Sequence, residues 1–325
     1  MIERCKEFID KQGLLKKKET VVLGVSGGPD SMFLLEMMCR LREAYGTRLV
    51  VAHFNHRLRE EADAEERFVA DQARERNCVI AAGGADVKAR YDGDSLEQTA
   101  RTLRYDFFST VVREHRAKKV FLAHHKDDLA ETVLLRIIRG SGMLGLAGMQ
   151  PMRRFGKFRL VRPLLYLTKD EIVSWLDAHR IPFMIDHSNF EDAFLRNRIR
   201  KQLIPVLTEL NPAICNNLYT LSATVARDYD FIAGCVREAY AAGMISHTSK
   251  RLRLKSSLVS ELHTALRAHL FRYCIEQVKG DTRRIEARHL DEIVECVEKR
   301  PSGSTVDLPG CRFIAQADEL VFESL

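Results

Sequence analysis

The stretch Val21-Val22-Leu23-Gly24-Val25-Ser26-Gly27-Gly28-Pro29-Asp30-Ser31 decides the fold. An apolar, β-branched run passes into Ser-Gly-Gly, and a helical pattern begins at Asp30-Ser31. Glycines let the backbone turn tightly and bring N–H groups against an anion. The new helix N-terminus adds unpaired donors and the positive end of a dipole. Ser26 and Ser31 can add hydroxyl donors to phosphate oxygens. Asp30 can face a phosphate favourably only through a cation, which points to Mg²⁺ bridging carboxylate and phosphates. The competing explanation is a plain strand–helix turn with Asp30 as N-cap, and the full Ser-Gly-Gly-Pro-Asp-Ser after a first strand weakens it. The Walker pattern G-x-x-x-x-G-K-[ST] is absent.

Outward from this loop, strand-like and helix-like runs alternate. Residues 20–25, 48–54, 78–82 and 119–123 read as short strands, and 30–45, 60–77, 95–116 and 127–139 as helices. That alternation implies parallel β-α-β units and an open sheet covered on both faces. Ligands in such sheets bind beyond the carboxyl ends of the strands, so the loops after Val25, Phe54, Ala82 and Ala123 are the ones to inspect. Near residue 210 the character changes. Helical patterns cover 212–242, 256–278 and 286–299, and a hairpin closes on Pro309-Gly310, with a further strand near 320–322.

The 325 residues suggest one large or two ordinary domains. With 46% hydrophobic and 30% charged residues, the chain is not of a disordered or collagen-like class. No apolar run approaches the roughly 20 residues of a membrane span, and the charged first twenty residues hold no signal-peptide core. Eight cysteines form no C-x-x-C pair, which argues against zinc, iron–sulfur and dithiol redox sites and points to the reducing cytosol. Of the net charge of +6, +5 falls within residues 151–201, the distribution expected of a local anion-binding surface or of a solvated basic face.

Further motifs follow in chain order. His53-Phe54-Asn55-His56-Arg57-Leu58-Arg59 sits at a strand end, where backbone groups and an imidazole could meet a base edge. In Glu97-Gln98-Thr99-Ala100-Arg101-Thr102-Leu103-Arg104-Tyr105, the charged residues Glu97, Arg101 and Arg104 share a helix face and could pair there or aim an arginine at a phosphate. His124-His125-Lys126-Asp127-Asp128-Leu129-Ala130-Glu131 places Asp128 and Glu131 on one face at a helix start. It can be read as a metal site, as dipole compensation, or as a pocket for an amine. Gly140-Ser141-Gly142-Met143-Leu144-Gly145 matches G-x-G-x-x-G, but follows a helix and reads as a helix-end loop. Asp186-His187-Ser188-Asn189 leads to Arg196-Asn197-Arg198-Ile199-Arg200-Lys201, a guanidinium cluster suited to phosphate or RNA backbone.

The first loop resembles the pyrophosphate loop, S-G-G-x-D-S, of the ATP pyrophosphatase superfamily. In this order, the whole series of motifs resembles the tRNA(Ile)-lysidine synthetase family, closely over residues 14–205 and more loosely to the C-terminal hairpin. Leu129 departs from the family, which often has a polar residue there. The resemblance to the family's shorter members implies a single accessory domain, where longer members carry a second.

The resemblance implies an α/β fold: a Rossmann-like parallel five-stranded sheet of the PP-loop type in residues 1–210. A smaller, mainly helical tRNA-binding domain ending in a β-hairpin would occupy 211–325. It implies a cytoplasmic C–N ligase that uses ATP and Mg²⁺ to join free L-lysine to C2 of the wobble cytidine in the CAU anticodon of minor isoleucine tRNA. The reaction would pass through an adenylated cytidine and release AMP and pyrophosphate. ATP would be held by Ser26, Gly27, Gly28, Pro29, Asp30, Ser31 and His53, with Mg²⁺ on Asp30 through the phosphates. Asp128 and Glu131 would hold lysine, Arg104 and Arg196 would act with Asp30 in catalysis, and Arg198, Arg200 and Lys201 would bind tRNA. His124, His125 and the carboxylates stay open as proton acceptors, and oligomeric state stays open, a homodimer included. The rival readings are a tRNA thiolase of the same superfamily, a small-molecule amidating synthetase and a non-catalytic nucleotide-binding module.

Overall fold

The computed structural model describes residues 1–57, 62–87, 89–90, 96–184 and 195–325, apart from the Glu97 side chain. Leu58, Arg59, the side chain of Glu97 and the 186–189 motif therefore lie outside the described residues. The first sheet contains β1 (Thr20–Gly24), β2 (Arg48–Asn55), β3 (Val79–Gly84), β4 (Lys119–Phe121), β5 (Met152–Phe155) and β6 (Phe158–Val161). Its order is β3-β2-β1-β4-β6-β5. The five strands from β3 to β6 run parallel, as expected, and β5 adds an unforeseen antiparallel edge on β6.

The near-continuous apolar character of β1 and β2 follows from burial on both faces. Val21, Leu23, Leu49 and Val51 point to one core, and Val22, Val50 and Ala52 to the other. Helices α1 (Ile2–Lys11), α2 (Pro29–Tyr45) and α3 (Ala62–Glu75) contribute to the first of these cores, and α4 (Leu96–Glu114) to the second. The strand order turns at β1, so the loops leaving β1 and β4 open at a topological switch point. They lead into α2 and α5 (Lys126–Ile138).

Pro29 fits the first helical turn, where its missing N–H costs nothing, and Gly46 ends α2 in the left-handed region. The helix α6 (Met143–Leu146) follows a turn at Gly140, φ +71°, so the helix-end loop is confined to Gly140–Gly142 and the rest of the glycine motif is helical. Then come α7 (Lys169–Ala178), α8 (Leu195–Arg198), a π-helical turn at Ile199–Leu203, and α9 (Ile204–Leu210).

The chain divides into two compact units, Met1–Ala226 and Arg227–Leu325, within the long helix α10 (Ile214–Gly243). The change of sequence character near residue 210 thus precedes the structural division. The second unit contains β7 (Met244–His247), β8 (Arg251–Lys255), α11 (Ser256–Glu261), α12 (Thr264–Lys279) and α13 (Ala287–Lys299). It ends with β9 (Thr305–Leu308), β10 (Cys311–Ala315) and β11 (Glu319–Ser324). The hairpin expected around Pro309-Gly310 is there, but it belongs to a five-stranded antiparallel sheet of order β7-β8-β11-β10-β9. Leu252 and Leu254 alternate with Arg251, Arg253 and Lys255 along β8, and with Phe313 and Phe322 they meet Phe271, Ile275 and Ile293 of the helices. Among the described residues no helix is long and apolar enough to cross a membrane.

Candidate active site

The glycine-rich loop leaves β1 through Val25, whose N–H donates to Ala52 O at 3.0 Å. Gly27 has φ +97°, a conformation that a side chain strains. Ser31 Oγ turns back into the loop, accepting from the N–H groups of Ser26 and Gly27 at 3.1 Å each. It donates to Gly28 O at 2.9 Å. Two of the amides expected to face an anion are therefore held by the Ser31 hydroxyl, and a phosphate oxygen would compete with it for them.

His53, 3% exposed, stands at the end of β2 with Nδ1 2.9 Å from Val25 O. Burial lowers its pKa against the opposing effect of that bond, so the ring is a neutral Nδ1–H donor tying β2 to β1. Asn55 Oδ1 accepts from the Arg57 N–H, and its amide reaches Asp63 and Glu66 of α3. That clamp leaves no mark in the local sequence pattern, since Asp63 and Glu66 stand 8 and 11 positions away.

Across the switch point, His125 caps α5 and shares a capping box with Asp128. Its Nδ1 lies 3.1 Å from Asp127 Oδ2, and its Nε2 lies 3.6 Å from Asp30 and 3.5 Å from Asp128. Burial works to lower its pKa. The bonds to Asp127 and Asp30 and the charge of Asp128 overcome this and raise it to about 10. His125 is thus an imidazolium joining the phosphate loop to α5. Asp127 is held below the ordinary carboxylate range despite its burial, by His125 and by the Lys169 N–H at 2.8 Å. Burial likewise opposes the ionised form of Asp128, but the charges of His125 and Arg196 lower its pKa.

Glu131, 1% exposed, receives two guanidinium groups. Arg196 Nε donates to Oε2 at 2.8 Å, and Arg200 Nε and Nη2 donate to Oε1 and Oε2. Arg196 Nη2 also lies 3.3 Å from Asp128 Oδ1, and Arg200 Nη2 3.6 Å from it. Arg196 and Arg200 of the expected guanidinium cluster share one face, and it turns inward onto Glu131 and Asp128. Arg198 and Lys201 are exposed, so the expected tRNA set splits into two exposed residues and one half-buried one. Arg162 is also buried at 4% exposure, donating to Gln150 O at 2.8 Å; burial, then Arg153, lowers its pKa to about 10. Part of the basic excess of residues 151–201 is therefore interior charge.

A cavity of about 390 Å³ gathers Ser26, Gly28, Asp30 and Ser31 with His53, Arg104, His124 and Asp128. His124 is neutral there: burial, opposed by Asp128 and reinforced by Arg162, Arg104 and Arg196, lowers its pKa to about 3. Among the described residues its buried Nδ1 has no hydrogen-bond partner, nor has Asp30 Oδ1. Arg101 donates to Tyr105 OH at 3.0 Å, and Arg104 stands 5.8 Å over the Tyr105 ring. Among the described residues no three His, Cys, Asp or Glu side chains are grouped to hold a metal ion, so the His-His-Lys-Asp-Asp segment does not form one by itself.

Residues 1–207 match the PP-loop domain family. The chain is 33% identical over 309 residues to a bifunctional protein TilS/HprT of Listeria innocua, covering 94% of this chain and 48% of that one. It thus spans about half the length of the first relatives it matches. It is 34% identical over 319 residues to a tRNA(Ile)-lysidine synthase of Dehalococcoides mccartyi, covering 95% of this chain and 67% of that one. The U34-tRNA thiolase NcsA of Methanococcus maripaludis, solved with its [4Fe-4S] cluster, superposes with a TM-score of 0.59 at 14% identity. The superposition covers 70% of this chain and 78% of that one, a likeness of fold alone.

Proposed function

This chain belongs to the tRNA(Ile)-lysidine synthase family, with a PP-loop domain over residues 1–207, and we propose that it carries out that family's ligation. In this reading ATP adenylates O2 of the wobble cytidine in the CAU anticodon of isoleucine tRNA, releasing pyrophosphate. The ε-amine of free lysine then attacks C2 and AMP leaves. Adenylation is the step that turns a poor leaving group, the cytosine carbonyl oxygen, into a good one.

The observation that carries the reading is the meeting of two motifs in one cavity. The phosphate loop supplies Ser26, Asp30 and Ser31, the segment after β4 supplies His124 and Asp128, and His125 bridges them. The Gly28 N-cap and the first turn of α2 would cradle the phosphates. Arg104, in the same cavity, would meet charge developing at the reacting phosphate. Asp30 is the residue that would hold Mg²⁺, and its partnerless buried Oδ1 suits that role. Bound there, the ion would neutralise charge on the departing pyrophosphate.

Asp128 lines the cavity and is the direct partner for the lysine ammonium. Glu131 lies deeper and serves by holding Arg196 and Arg200 in place. His124, neutral and with a partnerless nitrogen, is placed to accept a proton once phosphate charge offsets the neighbouring arginines. Arg198 and Lys201 offer exposed charge to the RNA backbone.

Incubation with ATP, labelled lysine and a CAU-anticodon isoleucine tRNA should place label in the RNA, dependent on ATP. Absence of lysine in RNA, with ATP cleaved on addition of a small amide-forming substrate, would overturn this in favour of the amidating reading.

A further inference from the structure

The spacing of the cysteines argued against a dithiol, but the fold brings two of them together. Cys39 on α2 and Cys78, just before β3, are 39 positions apart, and their sulfurs lie 3.6 Å from one another. Both are free thiols. The backbone beneath them is fixed from both sides. Arg76 Nε donates to Glu36 Oε2 at 2.9 Å, and Arg42 Nη1 reaches Arg76 O at 3.1 Å and Asn77 O at 3.3 Å. Asn77 takes φ +52°, setting the turn that delivers Cys78 to the helix. Closure to a disulfide needs the sulfurs to move from 3.6 Å to about 2.05 Å.

We propose that Cys39 and Cys78 form a redox site that takes a hydroperoxide as oxidant and closes to an intramolecular disulfide. Cys78 is the attacking sulfur. The bond it accepts from Cys39, opposed by burial and aided by Arg42 and Arg76, brings its pKa down to about 7, while the Cys39 thiol is pushed up. The Cys78 thiolate attacks a peroxide oxygen, the O–O bond breaks, and the departing oxide takes up a proton to leave as alcohol or water. Cys78 is then a sulfenic acid. Cys39 sulfur attacks that sulfur, the S–O bond breaks, and the hydroxide leaves as water with the proton of Cys39. Two thiols are oxidised and one peroxide bond is reduced.

The test treats the whole chain with hydrogen peroxide, alkylates it and maps its peptides, so it needs no variant. The expected product has lost about 2 Da and two alkylatable thiols, and yields one reducible peptide pair containing Cys39 and Cys78. Cys39→Ser should instead leave a sulfenic acid on Cys78 that dimedone traps. Three results would overturn the proposal: both thiols still alkylated after oxidation, Cys78 over-oxidised in the unaltered chain with no cross-link, or a disulfide only between molecules.

Discussion

Arg196 Nε donates to Glu131 Oε2 across 2.8 Å, and this bond joins α8 to the buried face of α5. Arg200 forks onto the same carboxylate, so Glu131 balances two cations in a place water scarcely reaches. Glu131→Gln keeps the shape and removes the charge. It should cost about 2 kcal/mol or more, below the 3–5 kcal/mol typical of breaking a fully buried pair, because the arginines are 34% and 38% exposed. Urea denaturation of the two proteins measures this, and equal midpoints would show the pairs to be energetically idle.

His125 sets a pH dependence with a definite sign. Its pKa in the folded chain, about 10, lies above the ordinary imidazole value, so folding favours its protonated form. That contribution is whole below the unfolded pKa of about 6.5 and is lost as pH rises through about 10. Denaturation midpoints should fall between pH 7 and 10, and His125→Asn should flatten that part of the curve. A variant curve as steep as the original would assign the dependence to other groups.

The strand and loop around Val21–Ser31 were legible because one local pattern, an apolar run into glycines and a helix start, decides them. The edge strand β5 was not. Met152–Phe155 alternates weakly, and its two arginines are exposed, so pairing with β6 defines it more than composition does. The last hairpin was read from Pro309-Gly310, while β8 and β11 pair across some sixty residues and leave no local mark. In the site, the spacing of Asp128 and Glu131 showed a shared face. It could not show which cations would fill it, because Arg196 and Arg200 arrive from 65 to 69 positions away. The cysteine pair escaped for the same reason.

Asp30→Asn separates chemistry from RNA binding. The amide cannot hold a divalent cation as the carboxylate does, and it withdraws one of the charges that keep His125 protonated. Exchange of labelled pyrophosphate into ATP in the presence of tRNA should fall by more than about 100-fold. Filter-binding affinity for the tRNA should stay within about twofold, since the exposed basic residues are untouched. Undiminished exchange would remove Asp30 from the cation site.

Gly27→Ala tests the loop's backbone. An added Cβ meets nothing closer than Val69 Cγ2 at 3.4 Å, so space is not the obstacle. The obstacle is φ +97°, which should cost about 1–2 kcal/mol for a residue with a side chain. The loop would relieve that strain by rotating its amides away from Ser31 Oγ, so the Michaelis constant for ATP should rise along with the loss of thermal stability. Loss of stability with unchanged ATP dependence would show the loop conformation to be structural only.

Arg198 and Arg200 differ by two positions and should behave as different kinds of residue. Arg198 is exposed, whereas Arg200 is spent on Glu131 and Asp128, whose charges raise its pKa despite burial. If Arg198 touches an RNA phosphate, Arg198→Ala releases one fewer counterion. The slope of log affinity against log salt should then flatten by about 0.7–0.9, with stability unchanged. Lys201→Ala should flatten the slope likewise. Arg200→Ala should instead lower the urea midpoint, leaving Glu131 with one partner, and weaken RNA binding only as far as the site loosens. Salt titrations of binding, run beside denaturation curves for the three variants, separate the two roles. An Arg200→Ala protein of full stability with a flattened salt slope would place that guanidinium at the RNA surface after all.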